Sequence, residues 1–218
     1  FDQPLDGYMG PGNCIWSQQF YETDRSRDFV RGFTYEITRG RGPVATALTG
    51  MFSGRIPWGE EHHQRYRELF NQITGMVAIC EDLPEPHNTV SLDPELKDSD
   101  GIPAPKITYK LSENSRRMLD YAVDRGMEIL EAAGATDVMT EAPIAVGGWH
   151  LMGTTRMGVD PEHSVVNEWG RSHDVRNLFV VDGSIFVTSA GVNPTRTIQA
   201  LSLYIGDTMK KRLATLFD

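Results

Sequence analysis

Three short motifs in the last third of the 218-residue chain constrain its fold more than any other feature of the sequence. The first runs from His150 to Gly158 (His-Leu-Met-Gly-Thr-Thr-Arg-Met-Gly), the second from Asn177 to Ser184 (Asn-Leu-Phe-Val-Val-Asp-Gly-Ser) and the third from Gly191 to Thr197 (Gly-Val-Asn-Pro-Thr-Arg-Thr). Their glycines permit tight turns and close backbone approach. The motifs therefore predict a bent, tightly packed segment that can approach a ligand.

The second and third motifs also predict regular structure. Leu178–Val181 is a short, fully apolar run typical of a buried strand, and Asp182 and Gly183 follow it as a turn or a ligand contact. Asn193 is a favourable N-cap and Pro194 a favourable first-turn residue, which predicts a helix from Pro194 to about Arg212. The predicted inner face of this helix comprises Ile198, Leu201, Ile205, Met209 and Leu213.

The rest of the chain alternates strand-like runs with two helical patterns. Predicted strands cover Phe33–Thr38, Gly75–Glu81, Thr89–Leu92 and Lys106–Lys110. Short connections between the later strands favour antiparallel pairing, with Asp93–Gly101 as a loop. Predicted helices cover Gly59 to Ile73 and, between an N-cap at Ser112 and a stop at Gly134, Glu113 to Ala133. We therefore predict an α+β fold, with a mixed or antiparallel sheet and helices.

Composition excludes several classes of partner. Acidic residues outnumber basic ones, 30 to 21, and the net charge of −9 argues against nucleic acid. No apolar run approaches the roughly 20 residues that cross a bilayer. We expect a soluble protein, in the cytoplasm rather than the periplasm or outside the cell. The two cysteines form neither a Cys-x-x-Cys pair nor a disulfide framework, so they leave the redox compartment open.

No pattern in the sequence predicts a metal site. His62 and His63 lack a second histidine four residues later, so a His-x-x-x-His zinc motif is absent. The acidic residues between Asp93 and Gly101 lack the spacing of a calcium-binding loop. Both segments are better interpreted as solvated surface.

Together, the three motifs resemble the C-terminal signature of the glucose–methanol–choline (GMC) family of flavin-dependent alcohol oxidoreductases. Within it, the Thr-Thr-Arg-Met-Gly run and the asparagine at 193 look closest to pyranose oxidases and bacterial glucoside or sugar dehydrogenases. The resemblance implies FAD as cofactor and a sugar or glycoside as substrate. It also implies that residues 1–144 belong to a substrate-binding domain. Residues 145–218 would form the catalytic segment, whose strand and helix return to an FAD-binding domain.

The resemblance also assigns roles to individual residues. Oxidation of an alcohol sends a hydride to flavin N5 and a hydroxyl proton to a base, and His150 matches the residue that serves as this base. Asn193 matches the residue that hydrogen-bonds the substrate oxygen. Whether its side chain caps the helix or contacts substrate stays open, because one amide oxygen cannot readily do both. The resemblance places Asp182 and Gly183, and the Asn193-Pro194-Thr195 element, against the cofactor.

The dinucleotide-binding motif of such a flavoprotein is not found in this sequence. The nearest match to Gly-x-Gly-x-x-Gly is Gly40–Ala45, which follows the Phe33–Thr38 strand. Pro43 restricts the backbone there, so we interpret this stretch as a Gly/Pro-rich turn. The chain begins at Phe1, and we expect a processed chain, a subunit or the C-terminal part of a longer protein. The FAD-binding part would then be a companion polypeptide or a missing N-terminal half.

Two other functions are compatible with the same motifs. Hydroxynitrile lyases share the fold and keep the flavin without redox turnover, and a chain without the dinucleotide half could serve as a non-catalytic substrate-domain subunit. For the oxidoreductase, the sequence leaves open whether oxygen, a quinone or a cytochrome reoxidises the flavin.

Overall fold

Two small antiparallel sheets and four α-helices are the main regular elements of the computed structural model, which describes residues 1–5, 7–144, 147–212 and 214–215. This confirms the predicted α+β class. The chain divides into a first unit, Phe1–Cys80 with Arg117–Ala145, and a second unit, Glu81–Arg116 with Val146–Asp218. The assignment of residues 1–144 and 145–218 to two functional domains stays a prediction. Within the described ranges, no helix is both long and apolar enough to cross a membrane.

The sheet of the first unit has three strands in the order β1-β2-β3, namely Asn13–Ser17, Phe33–Thr38 and Gly75–Cys80. Both neighbouring pairs are antiparallel, and β2 pairs along its whole length with β3. The strands β2 and β3 lie where the sequence predicted them. One extra residue between Asn13 and Ile15 shifts the register of β1, as in a β-bulge.

One face of this sheet packs against α3 (Glu113–Ala132), which enters the first unit at Arg117. Phe33 and Tyr35 of β2 lie with Met118 and Ala122 of α3 in a core where each is at most 2% exposed. The Tyr35 hydroxyl donates to the carbonyl of Ala122, and burial raises the pKa of this phenol above its ordinary range. The aromatic strand residues are thus fixed against the helix by both packing and a hydrogen bond.

The predicted ends of α3 are confirmed. The Ser112 hydroxyl accepts a hydrogen bond from the backbone N–H of Ser115 at 3.1 Å, as an N-cap does. Gly134 follows the helix with φ of +92°, a conformation that glycine adopts without strain.

Two other helices differ from the sequence prediction. The stretch interpreted as a turn after β2 begins α1 (Pro43–Phe52), because Pro43 occupies a first-turn position where its missing N–H costs nothing. Helix α2 spans His62–Leu69 and is shorter than predicted. Gly59, before it, and Asn71, after it, both have positive φ, which limits the helix at each end.

In the second unit, β4 (Thr89–Lys97) and β5 (Pro103–Thr108) form an antiparallel hairpin. Here β4 continues through residues that the sequence predicted as loop. The carboxylates of Asp93 and Asp98 each accept two backbone N–H groups, at 2.8–2.9 Å. Asp93 and Asp98 therefore stabilise turns of the backbone. Among the described residues, no cluster of side chains is suited to hold a metal ion.

The core of the second unit forms beneath α4 (Thr195–Lys211), where Val166, Ile185 and Ile205 are at most 1% exposed. Ile205 is the fully buried member of the predicted inner face, while Ile198, Leu201 and Met209 are half-buried. Leu213 lies outside the described residues.

Candidate active site

The first and second motifs lie side by side, joined by backbone hydrogen bonds. The N–H groups of Thr155 and Met157 donate to the carbonyls of Ser184 and Ile185 at 2.9 and 2.8 Å, and Gly153 donates to Gly183 at 3.4 Å. The acceptors belong to a single 3₁₀ turn, Gly183–Ile185. The hydroxyls of Thr155 and Ser184 also lie 2.5 Å apart. Two segments almost thirty residues apart thus form one rigid frame.

The helix that begins in the third motif, α4, packs against this frame at Gly183. A Cβ atom on Gly183 would lie 3.1 Å from Ile198 Cδ1 in α4 and 3.5 Å from Cγ of Met152. The Ser202 hydroxyl of α4 also donates to the carbonyl of Val181. A side chain at 183 would thus press on Ile198 and touch Met152, so α4 and the first motif both pack closely against Gly183.

The predicted buried strand at Leu178–Val181 is not observed. Phe179 makes one isolated bridge to Arg171, and the segment is otherwise irregular. Leu178 and Val181 are 49% and 38% exposed. A buried strand needs hydrogen-bonded strands on both edges and packed residues on both faces. Among the described residues, this segment has one β-bridge in place of such strands.

Asp182 presents a carboxylate at the start of the 3₁₀ turn. Its Oδ1 accepts the backbone N–H of Ser184 at 2.8 Å. Hydrogen bonds from the side chain and the backbone of Ser184 hold the pKa of this carboxyl below its ordinary value. The side chain is exposed, so an ionised acceptor is available at the surface of the frame.

His150 lies in a turn directly before the first motif enters the frame. Gly148 precedes it with φ of +147° and Gly153 follows with φ of +87°, so both bends use glycine where other residues would be strained. The His150 side chain is half-buried, between the exposed Trp149 and Leu151. Among the described residues, no hydrogen-bond partner of the imidazole is found.

The rings of four other histidines are held by neighbouring groups. The Nδ1 atom of His62 lies 3.2 Å from the Pro57 carbonyl oxygen. The Nδ1 atom of His163 lies 2.6 Å from Asp160 Oδ2. The Nε2 atom of His87 lies 3.4 Å from the Lys110 carbonyl, and that of His173 lies 2.9 Å from Ser164 Oγ. His63 also lacks a hydrogen bond among the described residues, so His150 is distinguished by its place in the first motif together with its unbonded imidazole.

Asn193 lies two residues before the first residue of α4, and the N-cap position between them is occupied by Pro194. The prediction that Asn193 is the N-cap is therefore wrong by one residue. Pro194 supplies no side-chain acceptor for the first turn. Pro194 is buried, whereas Asn193 and Thr195 are exposed, so the polar side chains face outward at the positive end of the helix dipole.

Sequence reasoning missed the contribution of Thr155 and Ser184 to the frame. Both residues lie inside the motifs, which was the available signal, but a contact between distant hydroxyls leaves no local pattern. The structure brings Asp182, Gly183 and the start of α4 into one assembly with the first motif. His150 is the first residue of the first motif and lies just before the segment that bonds to the Gly183–Ile185 turn.

The sequence model of the GMC oxidoreductase family matches residues 84–202, which include all three motifs and the β4–β5 hairpin. This chain belongs to the GMC oxidoreductase family.

Characterised relatives extend the match over almost the whole chain. A 2-methyl-1,2-propanediol dehydrogenase of Mycolicibacterium austroafricanum is 42% identical, over 98% of this chain and 39% of the relative. The fructose dehydrogenase large subunit of Gluconobacter japonicus is 41% identical, over 68% of this chain and 27% of the relative. A paromamine 6'-oxidase of Streptomyces fradiae is 43% identical, over 58% and 23%. The chain thus spans about two fifths or less of the relatives it matches.

Proposed function

We propose that this chain forms part of an FAD-dependent oxidoreductase that acts on the CH–OH group of a sugar or glycoside. The observation that carries the proposal is the convergence of the three motifs around the Gly183–Ile185 turn, with the imidazole of His150 available beside them. Family membership supports the redox class.

The names of three relatives favour a substrate with several hydroxyls, since they denote enzymes for a diol, a ketose and an amino sugar derivative. Two other relatives are named as long-chain-alcohol oxidases. All five are dehydrogenases or oxidases, which favours redox turnover over the lyase reaction.

In the proposed reaction, His150 accepts the hydroxyl proton of the substrate on an imidazole nitrogen. Histidine suits this role because its ordinary pKa of about 6.5 lies near working pH. The Asn193 amide donates a hydrogen bond to the substrate oxygen and so stabilises the negative charge that grows there. Its exposure at the start of α4 leaves the amide in reach of a ligand.

The residues around the turn fit a flavin cofactor. The exposed Asp182 carboxylate suits the ribityl hydroxyls, which donate hydrogen bonds, better than the anionic phosphates. The start of α4, with Thr195 exposed after Pro194, offers N–H groups and a positive dipole end to the polar edge of an isoalloxazine ring. Bound FAD would accept the substrate hydride.

The rest of the cofactor site would come from a dinucleotide-binding part, either an N-terminal half or a companion polypeptide. The greater length of the relatives supports this, as does the exposed apolar run of Leu178 and Val181. One relative is named as a large subunit, which supports a multi-subunit context. Oxygen, a quinone or a cytochrome would then take the electrons.

An anaerobic visible spectrum of the purified native protein tests the proposal. We expect a flavin band that bleaches after addition of one member of a panel of aldopyranoses, ketoses and glycosides. A flavin band that no sugar bleaches, together with cleavage of a cyanohydrin, would contradict the redox function.

A further inference from the structure

Three polar side chains of the motif region are linked by consecutive hydrogen bonds. The hydroxyls of Thr155 and Ser184 lie within hydrogen-bonding distance of each other. Ser184 in turn donates both its backbone N–H and its side-chain hydroxyl to the Asp182 carboxylate. The backbone N–H of Thr155 also donates to the Ser184 carbonyl at 2.9 Å. We call Thr155, Ser184 and Asp182 the Asp182 network.

The negative charge of Asp182 fixes the direction of these hydrogen bonds. An ionised carboxylate only accepts, and a serine hydroxyl has a single proton. Because the Ser184 proton goes to Asp182, the hydrogen bond between the two hydroxyls must be donated by Thr155. A hydrogen bond to a charged group is stronger than a neutral one, and it polarises the hydroxyl behind it. Both hydroxyl protons are thus used within the network.

The network leads from the interior of the motif region to its surface. Thr155 and Ser184 are half-buried, whereas Asp182 is exposed. Threonine is branched at Cβ, which limits rotation of its side chain, and its backbone is tied to Ser184. An exposed carboxylate without such support would lose rotational freedom when it binds a ligand, and this loss would weaken binding. The two hydroxyls therefore fix the orientation of the Asp182 carboxylate before a ligand arrives.

With its protons used internally, the Asp182 network can offer only acceptors to a ligand. The carboxylate accepts, and the Thr155 oxygen retains lone pairs but no free proton. A phosphate is itself an anionic acceptor, so its charge would be repelled by the carboxylate. Hydroxyl groups, which donate, fit the network. Of the parts of FAD, the ribityl chain therefore matches this chemistry and the pyrophosphate does not.

We propose that Thr155 and Ser184 are positioning residues, which hold the Asp182 carboxylate in the orientation that accepts hydrogen bonds from the ribityl hydroxyls of FAD. They act through Asp182 and take no part in the transfer of the proton or the hydride. The identity of the ligand rests on the function proposed above, whereas the network itself rests on the observed hydrogen bonds.

Fluorescence titration of the purified full-length protein, after removal of its flavin, measures the Kd of FAD and tests the proposal. We expect Ser184→Ala to raise this Kd about tenfold and Thr155→Val about fivefold, because each loosens a charge-assisted hydrogen bond to the cofactor. Thr155→Ser keeps the hydroxyl and a Kd close to that of the wild type. Thr89→Val, at an exposed position of β4, is the matched control and leaves the Kd unchanged. The Kd of ADP, which has the phosphates of FAD without the ribityl chain, stays the same in all variants.

A double-mutant cycle shows whether Thr155 acts through Asp182. In the Asp182→Asn background, Thr155→Val should change the Kd of FAD by about twofold or less, since the charge that orders the network is gone. The same loss in both backgrounds would mean that Thr155 acts independently of Asp182, and this would overturn the positioning role. An equal rise in the Kd of ADP would also overturn it, because general disorder of the site affects both ligands.

Thermal unfolding without flavin separates the network from the redox function. We expect Thr155→Val to lower Tm by about 2–4 °C in the wild-type background and by about 1 °C or less with Asp182→Asn. If these Tm values are coupled but FAD does not bind, the proposed flavin function fails and the cofactor role of the network fails with it. If FAD binds and a sugar bleaches it, but the Tm and Kd values show no coupling, the redox function stands and the positioning role is wrong.

Discussion

The two units keep their residues in place by different means. In the first unit, side chains do this, since Phe33, Tyr35 and Met118 interlock in a sealed core between sheet and helix. In the motif region of the second unit, hydrogen bonds from the N–H groups of 153–157 to the carbonyls of 183–185 add to the packing of Ile185 in a smaller core. A region can thus be well ordered with little regular secondary structure. The aromatic core and the residues in which we expect the chemistry belong to different units of the chain.

The replacement of His150 by alanine has the largest expected effect, and it tests whether the motif region carries the proposed base. Loss of a general base slows the rate of flavin reduction by substrate by about 10²- to 10⁴-fold. Tm stays within about 2 °C of wild type, because the ring is half-buried and lacks a partner among the described residues. Stopped-flow absorbance under anaerobic conditions measures the rate.

His87→Ala is the matched control for this prediction, since the His87 ring lies at an exposed position of the second unit, 3.4 Å from the Lys110 carbonyl. We expect a wild-type rate for the control. A His150→Ala protein that reduces its flavin at a wild-type rate would refute the base assignment.

The replacement of Met118 by alanine tests how much the core of the first unit stabilises the fold. Its side chain is 0% exposed in the core of the first unit. Removal leaves a cavity, and we expect the free energy of unfolding to fall by about 2–5 kcal/mol. Urea denaturation followed by circular dichroism measures the change. Met139→Ala, at a side chain that is 48% exposed, is the control and changes the free energy little. Equal effects at both positions would contradict the description of the core.

The smallest expected effect concerns Asp182, whose pKa is held low by hydrogen bonds from Ser184. A carboxyl whose pKa is lower in the folded than in the unfolded state stabilises the fold above the unfolded value of about 3.9, and this contribution is lost as pH falls through the folded pKa. The free energy of unfolding at pH 7 should therefore be larger for the wild type than for Asp182→Asn. This difference should shrink below pH 4. Because the group is exposed, we expect a difference of at most about 1 kcal/mol.

Urea denaturation at pH 7 and pH 3, with Asp174→Asn as an exposed control, checks this pH dependence. A difference that grows as pH falls would mean that Ser184 does not stabilise the ionised carboxylate.

Strands β2 and β3 and helix α3 were predictable because their side chains carry the pattern, whereas α1 was interpreted as a turn and α2 was predicted too long. The alternation of apolar and polar residues in β2 and the spacing of Met118 and Ala122 in α3 each mark the apolar face that meets the other element. The cap at Ser112 and the stop at Gly134 follow from local chemistry, which the sequence shows directly.

Elements whose structure depends on partners could not be predicted in the same way. Leu178–Val181 has the composition of a buried strand, but composition does not specify which neighbours are present. The site residues were recognised by their motifs alone. The contact between Thr155 and Ser184 depends on chain segments far apart in sequence, so only the structure reveals it.

The backbone frame between the first two motifs has a consequence for how this protein can diverge. Its hydrogen bonds join N–H and C=O groups that every residue except proline possesses. Frame residues other than Gly153, Gly183 and the buried Ile185 can therefore be exchanged while the main-chain path is retained. A lineage could change its surface chemistry by such exchanges and still keep His150, the proposed base, in register with the Gly183–Ile185 turn.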